Sequence, residues 1–212
     1  SWYAQETKNT SYIGQLISRW SDSLNTELSV SHSKYHSEPK NNSRQPYVEI
    51  RNVPVPGSSN TAYVSMGTEY SRHFNVLDVK TDTVELFGAY QLNDKHTLQS
   101  GIQYDTSDTY NAYVQYAYGY YIFNSLSDFL NKATAGGATG GATAYRYNAL
   151  ATGVDPAATF SQGNAGLFLN DHWRILPTLT VDVGVRVDMP VVPDDIPYNA
   201  AFATTFGVRN DY

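Results

Sequence analysis

The sequence predicts an all-β protein: an antiparallel up-and-down meander of about six strands, forming part of a large transmembrane β-barrel. Three observations carry this. Segments of about ten residues alternate strictly between apolar and polar, the length a tilted strand needs to cross a bilayer. Short turns and long irregular stretches take turns between those segments, so tight turns gather at one edge and long extracellular loops at the other. Composition agrees: charged residues make up only 16% of 212, aromatics 14%, and Tyr alone occurs 18 times. Mean hydropathy is nevertheless −0.42. A surface of Tyr, Thr, Ser and Asn suits aromatic girdles and a wet lumen.

The first strand is predicted over 9–20 ("NTSYIGQLISRW") and turns at "SDS". The second covers 24–36, with Leu28 and Val30 set against Glu27. A long mixed stretch, 37–77, carries Pro39, Pro46, Pro54 and Pro56 and reads as loop. The third strand, 82–92, sets Val84 and Leu86 against Glu85. The turn "NDKHT" leads to the fourth, 98–107, which has Gln103 on its polar side and can extend into "YNAYVQYAYGYY". Residues 122–160 read as a second long loop holding a short helix, "NSLSDFLNKA", with Ser125 as N-cap and Asp128 at the third position. The Gly/Ala tract across 131–143 is expected to be the least ordered part. The fifth strand is 164–173, the turn "RILPT", and the sixth 179–190.

In that sixth strand Val181, Val183 and Val185 alternate with Asp182, Gly184, Arg186 and Asp188. The predicted lipid face is Leu28, Val30, Val84, Leu86, Val181, Val183 and Val185. The predicted lumen face is Glu27, Glu85, Gln103, Asp182, Arg186 and Asp188, because an Arg on a barrel's lipid face costs ~2–4 kcal/mol at the midplane. The fifth strand stays open in both directions. An even turn sets Asp171 beside Asp182 and turns Gly166 and Phe168 outward; an odd one puts Leu167, Leu169 and Trp173 on the lipid side. Trp20 and Trp173 fall at turn-proximal strand ends, as a girdle requires. Tyr110, Tyr113, Tyr116, Tyr118, Tyr120 and Tyr121 form either an outer girdle or a ligand platform. Alternation by itself also fits a soluble β-sandwich, whose polar faces meet water.

Other classes find little support. There is no cysteine, hence no disulfide or thiolate metal site. A net charge of −6 without Lys/Arg clusters leaves no footprint for nucleic acid. No run is long enough for a membrane-spanning helix. "SWYAQETKNT" has no basic and apolar leader, so the chain reads as a mature or internal piece of something longer. His32 and His36 lie about 13 Å apart on a strand, too far to share a metal. Asp105 with Asp108, or Asp194 and Asp195 with Asp211, could offer oxygens to calcium, but no EF-type loop frames them. Gly136, Gly137, Gly140 and Gly141 lack the Lys-Ser/Thr of a phosphate loop. Nothing assembles an acid, a base and a nucleophile, so no enzyme and no cofactor is expected.

Four segments share a resemblance. "NAGLFLNDHWRILPTLTVDVGVRVDMP" resembles a Leu-Phe-x-x-Asp-x-Trp strand, Pro-Thr-Leu turn and Gly-x-Arg-x-Asp strand of the Oar-like TonB-dependent transporters of Gram-negative outer membranes. "GTEYSRHFNVLDVKTDT", "KHTLQSGIQYDTSDTYNAYVQYAYGYYIFNSLSDFL" and "YNAAFATTFGVRND" are similar to neighbouring family segments, in family order. The resemblance implies a 22-stranded barrel, plugged and energised through TonB, that moves a large or scarce substrate across the bacterial outer membrane. Its implied partners are outer-membrane lipid and lipopolysaccharide, the remaining barrel and plug, and the TonB system through parts outside this chain. No plug and no TonB-contacting box occur here, and six strands cannot close a barrel whose smallest form has about eight. The expectation is therefore a middle section of the wall. The competing expectation is a soluble all-β binding or adhesin domain.

Overall fold

A computed structural model describes residues 3–135, 141–149, 152–194 and 198–211. In chain order its elements are β1 (Tyr3–Arg19), β2 (Leu24–Asn41), β3 (Tyr47–Pro54), β4 (Thr61–Met66), a 3-10 turn (Tyr70–Arg72), β5 (Phe74–Gln91), β6 (His96–Val114), β7 (Tyr120–Phe123), α1 (Leu126–Ala135), β8 (Ala144–Arg146), β9 (Ala157–Leu176), β10 (Leu179–Val191) and α2 (Ala200–Phe206). They make an open six-stranded sheet, ordered β1-β2-β5-β6-β9-β10, and a second sheet, ordered β4-β3-β7-β8. Two compact units result, one of residues 9–35, 79–109 and 159–212, the other of 1–8, 36–78 and 110–158.

In the first unit three hairpins place their turns at one edge. Gln91 N donates to Ser23 O (2.8 Å) and Arg174 N to Lys95 O (2.7 Å), fastening each turn to the end of the next strand. Short and long connections alternate as expected, because an antiparallel meander sends successive connections to opposite ends. The strands run longer than expected: β6 has 19 residues and β9 has 20. The alternating apolar signal stops where the apolar face stops. Ladder hydrogen bonds need only backbone, so Ser- and Thr-rich segments continue the strands beyond it.

The fifth strand's facing is decided by one residue. Leu179 sits opposite Leu176, but Thr180 sits opposite Arg174, with a register shift between the two positions. Ile175 is left over as a bulge. A two-residue turn alone would have put Asp171 on Asp182's face; one extra residue flips the strand. Val185 is therefore opposite Leu169, Val187 opposite Leu167 and Val181 opposite Trp173. Asp182 faces His172, and Asp171 lands on the aliphatic side opposite Val183.

A glycine on the polar face makes close approach possible. A Cβ on Gly101 would lie 2.6 Å from the Phe168 ring and 2.9 Å from Leu86 O, whereas one on Gly14 meets nothing within 4 Å. Gly101→Ala is expected to destabilise the full-length protein by about 1–3 kcal/mol through overpacking. Gly14→Ala should be close to neutral. Urea unfolding in detergent micelles would check both, and equal midpoints would refute the crowding at Gly101.

The second unit contains what was expected to be loop. Residues 37–77 and 122–160 hold β3, β4 and β8, while β7 starts at Tyr120 within the tract expected to extend the fourth strand, which ends at Val114; β3 runs antiparallel to β4 but parallel to β7. The meander is thus not the whole architecture. These strands are short, β3 is bounded by Pro46 and Pro54, and Ile50 pairs with Phe123 far along the chain, so no local pattern announced them. Tyr47, Ile50, Tyr120 and Ile122 are buried there.

The helix signal was local and so was legible: Ser125 Oγ accepts from Asp128 N at 3.0 Å at the head of α1. Residues 136–140 of the Gly/Ala tract lie outside the described residues. The adjoining part, through Ala135, belongs to α1. The short α2, to which the sequence assigned no structure, is capped by Asn199 and closed by Gly207 at φ 71.

His73 pins this unit together. It is 2% exposed. Its Nε2 donates to Thr68 O (3.0 Å) while Nδ1 accepts from Tyr118 N (3.1 Å), and Tyr118 stacks on the ring. Only the neutral ring does both. Burial pushes its pKa below the ordinary 6.5, against the pull of Thr68 and Glu69. The folded value is the lower one, so the stabilisation is complete above 6.5 and is lost as pH falls below it. Protease resistance of residues 36–78 should therefore drop on acidification in the native protein and stay flat in His73→Gln. A flat native profile would refute the role.

Candidate functional site

The sheet of the first unit has two chemically distinct faces, and the predicted site residues sort between them. On one face lie Val181, Val183, Val185, Val187 and Met189 of β10, opposite Trp173, Asp171, Leu169, Leu167 and Ala165. The β10 row spans ~26 Å at ~3.3 Å per residue, close to the ~25 Å apolar band of an outer-membrane barrel. β2 and β5 continue it. Gln91 N to Ser23 O and the His32–Asp82 contact fall in one register, which sets Leu28 against Leu86 and Val30 against Val84. Leu28, Val30, Val84, Leu86, Val183 and Val185 are all solvent-exposed, uncovered by the described residues.

The other face is polar, and Arg186 is its centre. Its Nε and Nη2 grip the Asp188 carboxylate (2.7–3.0 Å), and Nη2 also donates to Gln103 Oε1 on β6 at 3.2 Å. The side chain crosses β9 to get there. Gly166 permits this, since a Cβ there would stand 2.6 Å from Arg186 Nη2 and 2.9 Å from Asp188 Oδ1. Asp105 and Glu85 add to the field on the guanidinium, and Asn164 reaches Asp188 Oδ1 at 3.4 Å. Four of the predicted lumen residues, Glu85, Gln103, Arg186 and Asp188, thus come together.

Asp182 does not join them; it pairs with His172 at 2.8 Å. Glu27 stands apart too, accepting from Gln15 Nε2 at 2.9 Å in a depression lined by Arg19, Asn25 and Phe87. Phe87 and Phe168 stack at 6.3 Å on this polar face, above Gly101. That aromatic patch was not expected, because each Phe stands singly in its own strand. The signal available was the glycine, whose missing side chain lets the rings meet across it.

The aromatic candidates scatter. Trp20 is 69% exposed at the turn edge, its Nε1 donating to Thr26 Oγ1 at 2.8 Å. Trp173 stacks on His96, whose Nδ1 meets Asp171 Oδ2 at 2.7 Å. Both tryptophans lie at the turn edge of the sheet. Of the Tyr tract, Tyr120 is buried in the second unit, Tyr116 packs half-buried against it, and Tyr110, Tyr118 and Tyr121 are half-buried. Tyr116 and Tyr120 stack with Tyr70, and Tyr47 packs edge-on against Tyr70 and Tyr120. Tyr118 covers His73, Tyr121 packs on Tyr145, and Tyr110 donates to Asp155 at 3.1 Å. Tyr113 is the well-exposed residue of the tract, at 45%. Tyr120 OH donates to Glu49 at 2.6 Å. That bond, with Arg51, holds the Glu49 carboxyl below its usual range, while burial and the same contact push the Tyr120 phenol well up.

Among the described residues no three His, Asp or Glu converge. His32 and His36 are each engaged by their own carboxylate, Asp82 and Asp78, at 2.6 Å. Asp105 lies on the polar face, whereas Asp108 turns the other way to Ser161 Oγ at 2.7 Å, so the pair is divided. Asp194 accepts from Ser161 N at 2.5 Å and Asp211 from Arg209, and Asp195 lies outside the described residues.

An open meander with an aliphatic face broken at Asp171, a charged opposite face and tryptophans at the turn edge is a segment of membrane β-barrel wall. No described helix is long and apolar enough to cross a membrane. The chain belongs to the outer membrane beta barrel domain family, whose model matches residues 4–207. This assigns it to the bacterial outer membrane. The crystal structure of the outer membrane transporter YddB from Escherichia coli is similar, at 16% identity and a TM-score of 0.43, with 88% of this chain and 22% of that one covered. The chain thus spans about a fifth of that transporter's length. No curated protein matches it.

Proposed function

We propose that the chain is a wall section of a TonB-dependent outer-membrane transporter of the Oar-like kind, moving a large or scarce substrate. One observation carries this most: a sheet whose apolar face is long enough for a bilayer backs onto a charged face centred on Arg186. Mixed charge paired within the wall, rather than a ring of one sign, suits a face that holds a plug or passes a polar solute without trapping it. The ordered family segments support the TonB-dependent reading and its 22-stranded barrel. A soluble adhesin would leave the whole aliphatic face in water, at a size where exposed apolar patches mark interfaces. No catalytic role is proposed.

The test uses the full-length protein in detergent and the purified periplasmic domain of TonB. Saturable binding, abolished by deleting the N-terminal segment ahead of the barrel, is the expected result. A folded barrel that does not bind TonB would overturn the proposal and leave only the outer-membrane wall.

A further inference from the structure

We propose that the free edge of β4 captures an extended polypeptide segment, which joins the four-stranded sheet as an added strand. β4 is an end strand of that sheet, and among the described residues it pairs with β3 alone. Its residues, Thr61–Met66, include no charge, proline or glycine, and all but Ser65 are exposed. Such an edge presents a row of unpaired N–H and C=O groups, which folded proteins ordinarily blunt with lysine, proline or a bulge. The bulge in this pair lies on β3, where Ile50 to Val53 answers Val64 to Ala62, so β4 itself runs unbroken. At the other end of the sheet β8 is short, Ala144–Arg146, and carries a cation.

Register selects the occupant. Met66 lies opposite Val48, Val48 opposite Tyr121, and Tyr121 opposite Tyr145. Beside that row, Val64 lies opposite Ile50 and Ile50 opposite Phe123. Both rows are uncharged and share one face, since side chains two residues apart on a strand point the same way. Both stop at β4 on an exposed side chain, Met66 at 39% and Val64 at 42%. A further strand continues them with apolar residues at alternate positions. Tyr63 and Ser65, on the other face, leave the intervening positions free to be polar.

Water can meet the backbone edge but not the rows. An extended backbone meets the edge group for group, and its alternating side chains meet the rows, which is how strand addition combines affinity with specificity. The ligand class is thus an extended peptide segment, apolar and polar by turns. The unit is assembled from the long connections, which open on the cell exterior in an outer-membrane barrel. That exterior placement rests on the transporter reading, and the two fail separately: a protein that binds TonB but no peptide defeats peptide capture alone.

The test uses the full-length protein in detergent and a fluorescein-labelled peptide of alternating valine and threonine with a lysine at each end, read by fluorescence anisotropy. The native protein should bind it saturably. Along an added strand alternate N–H groups face β4 and the rest face away. Methylating one alternate set of peptide nitrogens should therefore weaken binding about a hundredfold, roughly three hydrogen bonds being lost, while methylating the other set weakens it little. Val64→Lys, which sets a charge on the edge, should abolish binding while residues 36–78 keep native protease resistance. Tyr147→Ser, just beyond β8, should change nothing. Absence of binding, or equal sensitivity to the two methylations, overturns the proposal without any variant. A dimer of the native protein that Val64→Lys separates would overturn it too, showing an edge paired with a second copy.

Discussion

Val185→Arg in the full-length protein is expected to abolish insertion into bilayers, while Asp182→Asn folds as the native protein does. Val185 is mid-band, 63% exposed, and opposite Leu169, so an arginine there finds only hydrocarbon. The cost is ~2–4 kcal/mol at the bilayer midplane, a large share of a marginal folding free energy. Asp182 lies on the polar face against His172, where an amide keeps a hydrogen bond and removes a charge that water screens anyway. The neighbouring Val183→Arg should be milder than Val185→Arg, because Asp171 stands directly opposite and can partner the new cation. The measurement is folding into vesicles scored by heat-modifiable gel migration. If Val185→Arg and Asp182→Asn were tolerated alike, neither face would meet lipid, and the soluble reading would replace the membrane one.

Tyr120→Ala should unravel the second unit while leaving insertion intact. Tyr120 is 7% exposed and touches Tyr47, Tyr70 and Tyr116, with Arg146 over its ring. Truncating a buried aromatic to alanine costs about 3–5 kcal/mol. The four-stranded sheet has few buried side chains with which to absorb that. Tyr120→Phe removes only the bond to Glu49, which keeps Arg51, so a cost of about 1 kcal/mol follows. Limited proteolysis of intact cells should cut Tyr120→Ala within residues 36–78 and spare Tyr120→Phe. Native-like resistance in Tyr120→Ala would show that the stacked rings contribute little.

The sequence by itself determined whatever depends on neighbours along the chain. The period-two segments named both faces of β2, β5 and β10. The turns at 21–23, 93–96 and 175–178 set the meander, and Ser125 announced α1. Those signals are local: side chains alternate because the backbone pleats, and a cap bonds three residues ahead. Four of the six lumen candidates could be assigned to one patch only through register, although each was named from its own strand.

Tertiary structure decided the rest. Asp171 faces the aliphatic side because Ile175 bulges, and an uneven turn cannot be read from alternation. The second sheet arises from β3 pairing in parallel with β7, whose strands are too short to declare themselves. Its core then took in Tyr120, with Tyr116 packed half-buried against it, from a tract that alternation along the chain could not divide. Each of these facts depends on which residue lies opposite which, and that is fixed by hydrogen bonds between segments far apart in the chain.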